Sequence, residues 1–285
     1  MLFWNSDRPG PGVDPDAPRK KGIRRFWELL WSDGKKYLIC NLICVLFFVP
    51  CALTVSYGVY AGRMPVTLLA GLLSGIPFLA ARYGLFDTIL RSLRDEPSDW
   101  WPSFRRAIGS AWKLYLPGGM LFGASFAAAS FLLYWKFRAQ ETDGVSQWVM
   151  PMLYLLLLFM VFVSVMPQMA VLDESFPRIL FNGLLFVFGA LPRVLAAALL
   201  QLVYWGLVIA LFPYTLFLLP LTGFWLADLT GCMLLYPQLD RIYRIEETLR
   251  ARREEEDRAH LAARFGEEEA DRIMQKTEGK GTEAL

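Results

Sequence analysis

The sequence has few of the residues that enzymes use for catalysis. Its one histidine, His260, lies in a charged segment near the C-terminal end. The phosphate-binding Gly-Lys-Ser/Thr loop, the Gly-x-Ser-x-Gly nucleophile motif and the His-Glu-x-x-His zinc motif do not occur. We therefore predict a protein that is not an enzyme and that needs no cofactor.

Charge is also scarce. Only 20% of the 285 residues are charged and 55% are hydrophobic, with a mean hydropathy of +0.36. This balance excludes an ordinary soluble domain and is typical of a protein that crosses a membrane several times. Residues 1–22 are polar, basic and rich in Pro and Gly, unlike a secretory signal peptide, so they predict a disordered N-terminal tail.

Cysteine is limited to four positions: Cys40, Cys44, Cys51 and Cys232. All four lie inside hydrophobic runs, and the first two share a helix face. A metal or redox site would need further ligands, which the neighbouring sequence does not offer. The favoured interpretation is a set of thiols that act as small apolar residues within the membrane, and we predict no metal site.

The hydrophobic residues form runs of about 20, the length that crosses a hydrocarbon core of about 30 Å. They predict an all-α membrane protein with six transmembrane helices. We place these helices at 37–60, 66–85, 116–135, 149–171, 194–211 and 215–236, within a membrane domain that covers 23–240. An amphipathic helix with interfacial tryptophans is predicted over 23–34, and a charged, cytoplasmic helical tail over 241–285.

Basic residues predict the orientation of these helices. Lys and Arg are frequent before the first helix, between the second and third, and after the sixth, whereas the loop after the first helix has only Arg63. Since cytoplasmic loops carry an excess of Lys and Arg, both termini are predicted to be cytoplasmic. Gly71 and Gly75 form a small-xxx-small pair, which either allows close helix packing or is merely tolerated.

A threefold repeat is suggested by three similar segments at the predicted cytoplasmic side. Residues 26–31, 104–112 and 179–188 each precede an outgoing and a returning helix. Pro102 and Pro117 have the same separation as Pro177 and Pro192. We predict three units of an interfacial helix plus a helical hairpin. Coincidence is the alternative, because proline is common at the ends of membrane helices.

Asp228 is the ionisable residue that lies deepest in a predicted membrane helix. A carboxylate at that depth is costly unless it is paired, protonated or hydrated. Candidate partners are Arg82 and Arg193, with Gln201 as a further polar neighbour. A structural ion pair is favoured, and a proton or substrate path is the alternative. Asp87 faces the same choice with Arg91; Asn41 and Gln168 are further candidates for hydrogen bonds between helices.

A basic and aromatic surface is predicted between the second and third helices. Its members are Arg94, Trp100, Trp101, Arg105, Arg106 and Trp112. In a membrane protein such a surface favours contact with lipid headgroups or a partner protein over nucleic acid. We expect the bilayer as a partner and no nucleic acid. The oligomeric state is left open.

The stretch FDTILRSLRDEPSDWWPSFRRAIGSAWK, after an N-terminal FWELLW and a first hairpin, resembles the YesL-like integral membrane proteins of Gram-positive bacteria. The Arg-Asp-Glu-Pro turn at 94–97, the Trp-Trp pair and the Phe-Arg-Arg-Ala run carry the resemblance. The polar break near 172–173 and the Leu-Pro-Arg at 191–193 are also similar. The resemblance covers about 23–245.

The function of this family is not known, and its members are often encoded beside carbohydrate-uptake systems. The resemblance therefore implies a bacterial cell-membrane protein but supplies no catalytic residues. We expect an accessory or regulatory partner of a carbohydrate uptake system, which would include a membrane transporter or sensor subunit. The alternative is a small-solute transporter with a path near Asp228. A water-accessible cavity at Asp228 would favour the transporter, and a buried pair with an arginine would disfavour it.

Overall fold

The computed structural model describes residues 20, 22–96, 100–139 and 146–267. Throughout these ranges the regular structure is helical, without strands, and six helical spans are long and apolar enough to cross a membrane. The predicted fold class, an all-α protein with six membrane helices, is confirmed. The predicted disorder over 1–22 falls almost entirely outside the described residues, as does the end of the C-terminal tail.

Ten helices follow one another along the chain: α1 (Ile23–Tyr60), α2 (Met64–Leu93), α3 (Trp100–Ser110), α4 (Trp112–Ala139), α5 (Ser146–Val171), α6 (Phe176–Gly189), α7 (Leu191–Ala210), α8 (Leu218–Thr222), α9 (Trp225–Tyr243) and α10 (Ile245–Phe265). The candidate spans are α1, α2, α4, α5, α7 and the segment Leu218–Tyr243 that joins α8 to α9.

Most of the helices extend a few residues beyond their predicted bounds, and two spans, the first and the sixth, also differ in their continuity. The separate amphipathic helix and first span are one continuous helix, α1, because no proline occurs between Ile23 and Pro50 and Lys36 pairs with Asp33 at 2.7 Å across the expected boundary. The sixth span begins at Leu218 rather than at 215, and it is interrupted around Gly223. In a continuous helix the Phe224 amide would donate to the Pro220 carbonyl, but both groups instead hydrogen-bond to the side chain of Asn41.

Glycines bring α2 and α4 into close contact. A Cβ atom on Gly71 would lie 2.5 Å from the carbonyl oxygen of Gly123, and one on Gly119 would lie 2.6 Å from the Cα atom of Ile76. Only a hydrogen fits at these positions, so the two backbones approach closely. The glycine pair predicted from the sequence therefore packs against a second pair on α4.

Several contacts gather the basic segments at one end of the bundle, which we call the basic end. Arg25 at the start of α1 contacts Asp95 after α2, and Arg193 at the start of α7 contacts Gln238 near the end of α9. The hydroxyl of Tyr243, at the end of α9, donates to Gln168 Oε1 near the end of α5. Short helices begin at this end as well.

The short helices α3 and α6 pack on the ends of longer ones. Phe104 of α3 is 3% exposed and covers Gly84 of α2, and Gly183 of α6 lies against Val165 of α5. A short helix therefore precedes two spans in both α3–α4–α5 and α6–α7–α9. In the first third of the chain, the corresponding segment is fused into α1. The threefold repeat stays a prediction.

Candidate functional site

A buried ion pair joins α2 to α9. Arg82 Nη2 donates to Asp228 Oδ1 at 2.6 Å, and the two residues are 3% and 1% exposed. Arg82 lies about 16 Å from the C-terminal end of α2, at a rise of about 1.5 Å per residue. The pair is therefore deep inside the bundle, where a single charge would be costly.

Gln201 of α7 completes this buried cluster. Its Nε2 donates to the same Asp228 Oδ1 at 3.1 Å, and its side chain is also buried. Asp228 Oδ2 and Arg82 Nε have no hydrogen-bond partner among the described residues. The cluster thus connects three spans through one carboxylate oxygen and leaves two polar atoms unsatisfied.

Aromatic rings surround the Arg82 guanidinium. Its Cζ atom lies between 4.8 and 5.8 Å from four ring centroids, those of Phe78, Phe86, Phe162 and Phe224. Cation–π attraction is strongest where water is excluded, so these rings compensate part of the cost of burying the charge. Their packing also separates the pair from bulk water. The cluster has the properties of a connection between helices, since Arg82, Gln201 and Asp228 are each at most 3% exposed.

Asn41 of α1 holds the interruption between α8 and α9. Its Nδ2 donates to the carbonyl oxygens of Leu219 and Pro220 at 2.8 and 2.9 Å, and its Oδ1 accepts from the Phe224 amide at 2.7 Å. Backbone groups freed by a helix break must find partners inside a membrane. Asn41, 0% exposed, supplies them at the break itself.

The structure brings together three of the four predicted cluster residues. Arg82, Asp228 and Gln201 are in contact, but Arg193 is exposed at the basic end and donates to Gln238 Oε1 at 3.0 Å. Of the two arginines proposed from the sequence as partners of Asp228, only Arg82 contacts it. Asp87 pairs with Arg91 at 2.8 Å, one helical turn away on α2.

Arg25 is a functional candidate that the sequence does not single out. Its Nη2 donates to Asp95 Oδ1 at 2.6 Å and to the carbonyl oxygens of Ser92 and Leu93, at the end of α2. Asp95 adopts a left-handed φ of 57°, which aspartate tolerates better than most residues. Arg25 therefore fixes the end of α2 and the following Asp95 to α1. The pattern of α1 indicates an amphipathic helix but not this distant partner.

Most of the predicted basic and aromatic surface is accessible. Trp101 is 50% exposed and Trp112 is 52% exposed, and Arg105 and Arg106 are exposed between them. Trp100 begins α3, and its side chain is outside the described atoms. Arg94 is not part of this accessible surface, because it is 8% exposed and pairs with Glu96 at 3.0 Å.

The cysteines lie apart from any cluster of metal ligands. All four are free thiols, three are buried, and within the described residues no group of three or more His, Cys, Asp or Glu could hold a metal ion. Cys40 contacts the Thr88 hydroxyl at 3.7 Å, and Cys51 accepts a hydrogen bond from Ser74 at 3.0 Å. Their contacts are those of small side chains packed between helices.

Comparison with protein-family models, curated proteins and solved structures gave no match to this chain.

Proposed function

We propose that this chain is a non-catalytic accessory protein of a bacterial cell membrane, with both termini in the cytoplasm. In this proposal it assists or regulates a carbohydrate uptake system by contacting a transporter or sensor subunit. The observation that carries the proposal is the contrast between its two groups of charge. The charges of Arg82 and Asp228, deep in the bundle, pair with each other. Arg105 and Arg106, on a short helix at the basic end, face outwards.

The geometry of α3 suits a contact surface. Phe104 anchors the helix on Gly84, and Trp101, Arg105 and Arg106 are left exposed. Tryptophan and arginine are the residue types most enriched at positions that dominate binding energy. The same side chains also suit the headgroup region of a membrane. A partner bound here would contact the protein close to the membrane surface.

A pull-down from native membranes tests the proposal. We expect the tagged wild-type chain to recover a transporter or sensor subunit after mild crosslinking. Arg106→Glu should reduce this recovery several-fold, because it reverses a charge at the centre of the surface. Arg241→Glu, which reverses an exposed charge on α9, should leave it unchanged. Recovery of no such subunit by the wild-type chain would refute the proposal.

A second candidate function is transport of a small solute. It is favoured by one observation, the interruption at Gly223 only a few residues before Asp228, because discontinuous membrane helices form the binding sites of many transporters. Against it, Asn41 already binds the backbone groups that such a site would offer to a ligand.

Native thiols distinguish the two candidates. Cys232 lies one helical turn after Asp228 and is 1% exposed, and Cys44 is 0% exposed. An accessory protein with a closed bundle should not react at either thiol with a small, water-soluble maleimide. Rapid labelling of Cys232 that a solute prevents would favour the transporter.

A further inference from the structure

One face of α4 lines two cavities that meet at Pro117. The first is a cleft of about 580 Å³ at the basic end, formed by the start of α4, the end of α5 and the loop before α6. The second is a groove of about 590 Å³ between α2, α4 and α5. The α4 residues lining them recur every three or four positions, at Lys113 and Leu114, Pro117, Met120 and Leu121, Ala124 and Ser125, and Ala128. This spacing places them on one side of the helix.

The cleft carries charges of both signs. Lys113 and Asp173 line it and are exposed, and neither forms an ion pair within the described part of the chain. Glu174, beside Asp173, accepts a hydrogen bond from Asn182 at 3.0 Å. A ligand with one positive and one negative group would find a partner for each.

Two further polar groups line the same cleft. Tyr83 is only 8% exposed, and its side chain makes no hydrogen bond to the described residues. Ser175 is the N-cap residue of α6 and makes no capping hydrogen bond with its side chain. The first amides of a helix lack partners within it and attract anions, so the start of α6 favours a negative group beside Lys113.

The groove continues this cleft with an apolar wall. From Pro117 to Ala128, α4 rises about 16 Å at about 1.5 Å per residue. This length is close to half of the hydrocarbon core of about 30 Å, which is the depth of one lipid leaflet. Tyr154 donates to the carbonyl oxygen of Ser125 at 3.2 Å, so its polar group is already satisfied.

We propose that this face of α4 binds one phospholipid whose headgroup carries both a phosphate and a primary ammonium, as in phosphatidylethanolamine. The phosphate would lie between Lys113 and the start of α6, and the ammonium would donate to Asp173 and Tyr83. One acyl chain would occupy the groove from Pro117 to Ala128. A wholly anionic headgroup would meet the unpaired carboxylate of Asp173, and a quaternary ammonium could donate no hydrogen bond to it.

Native mass spectrometry of the full chain in detergent tests this site. Phosphatidylethanolamine, phosphatidylglycerol and phosphatidylcholine with the same acyl chains are added separately, and bound lipid is counted. We expect phosphatidylethanolamine to bind most tightly. Lys113→Gln and Asp173→Asn should each weaken its binding about tenfold, since each removes one charge-assisted contact. Arg63→Gln and Glu255→Gln, which remove exposed charges elsewhere, are the matched controls.

The groove is tested separately. Ala124→Phe should fill it and weaken binding of all three lipids, whereas Ala196→Phe, on an exposed position of α7, should not. Tighter binding of phosphatidylglycerol, or equal binding of the three lipids by the wild-type chain, would overturn the proposal. The order of binding of the three lipids by the wild-type chain tests the proposal even if a variant fails to fold. It is also independent of whether a transporter subunit is recovered in the pull-down.

Discussion

Each member of the pair between Arg82 and Asp228 stabilises the buried charge of the other. Arg82→Met would leave the Asp228 carboxylate buried with only the amide of Gln201 as a partner. Removing one member of a buried ion pair costs about 3–5 kcal/mol, whereas replacing both by apolar residues is often neutral or stabilising. We expect Arg82→Met to lower the free energy of unfolding in detergent by about this amount, and Arg82→Met with Asp228→Leu to restore most of it.

Arg193→Met is the control for this experiment, because it removes an exposed arginine that also has a polar partner on α9. Surface substitutions of this kind change stability by about 0.5 kcal/mol or less. Equal losses in Arg82→Met and Arg193→Met would contradict the assignment of the pair as a buried connection, as would a double variant no more stable than Arg82→Met alone.

The sequence predicts individual residues where the cost of burial limits the choices. A carboxylate within an apolar run needs a partner, and this reasoning points to Arg82 and Gln201. It points equally to Arg193, which the three-dimensional arrangement places at the basic end instead. The contacts of Arg25 could not be predicted in this way, because backbone carbonyl acceptors at the end of α2 have no signature in the sequence.

At the scale of helices, the contact between α2 and α4 depends on glycines that have no room for a methyl group. A Cβ atom on Gly123 would overlap the carbonyl oxygen of Gly71. Gly123→Ala should therefore separate the two helices and lower the free energy of unfolding by about 1–3 kcal/mol, the usual cost of overpacking. Gly206→Ala on α7 is the control, because nothing lies within 4 Å of its added methyl group. Thermal unfolding in detergent should show a lower melting temperature for Gly123→Ala alone.

The interruption between α8 and α9 gives a second prediction for this scale. Asn41→Leu removes three hydrogen bonds between the Asn41 side chain and the backbone groups at the interruption. Each is worth about 0.6 kcal/mol on average in a membrane protein. Hydrogen–deuterium exchange should become faster in the segment 219–225, with a loss of stability of about 2 kcal/mol. Asn182→Leu, which removes an exposed hydrogen bond on α6, should leave exchange in 219–225 unchanged. Unchanged exchange in Asn41→Leu would mean that the break does not depend on α1.

Hydrophobic runs predict the number of spans and most of their extent, because a bilayer fixes the length of an apolar helix. They do not predict where a helix continues or stops beyond the apolar run. The fusion in α1 depends on polar residues that remain helical, and the break after Thr222 depends on partners that another helix provides. The break follows from contacts with a distant residue, Asn41, whereas the fusion involves a local pair, Lys36 with Asp33.

For the whole molecule, several basic segments lie at one end of the bundle. The start of α1 contacts the turn after α2, and the end of α5, the start of α7 and the end of α9 meet at the same end. The structure therefore shows which of these segments lie at the same end of the bundle. The prediction of which side of the membrane they face rests on the excess of basic residues in cytoplasmic loops.

Cysteine labelling in intact cells tests that orientation. Arg63 lies in the exposed connection between α1 and α2, and Arg106 lies on α3 at the basic end. With both termini in the cytoplasm, a membrane-impermeant maleimide should label Arg63→Cys in intact cells and Arg106→Cys only after permeabilisation. The wild-type chain is the control for its native thiols, three of which are buried. The reverse pattern would leave the fold unchanged but place α3 outside the cell, where it could not contact a cytoplasmic subunit of an uptake system.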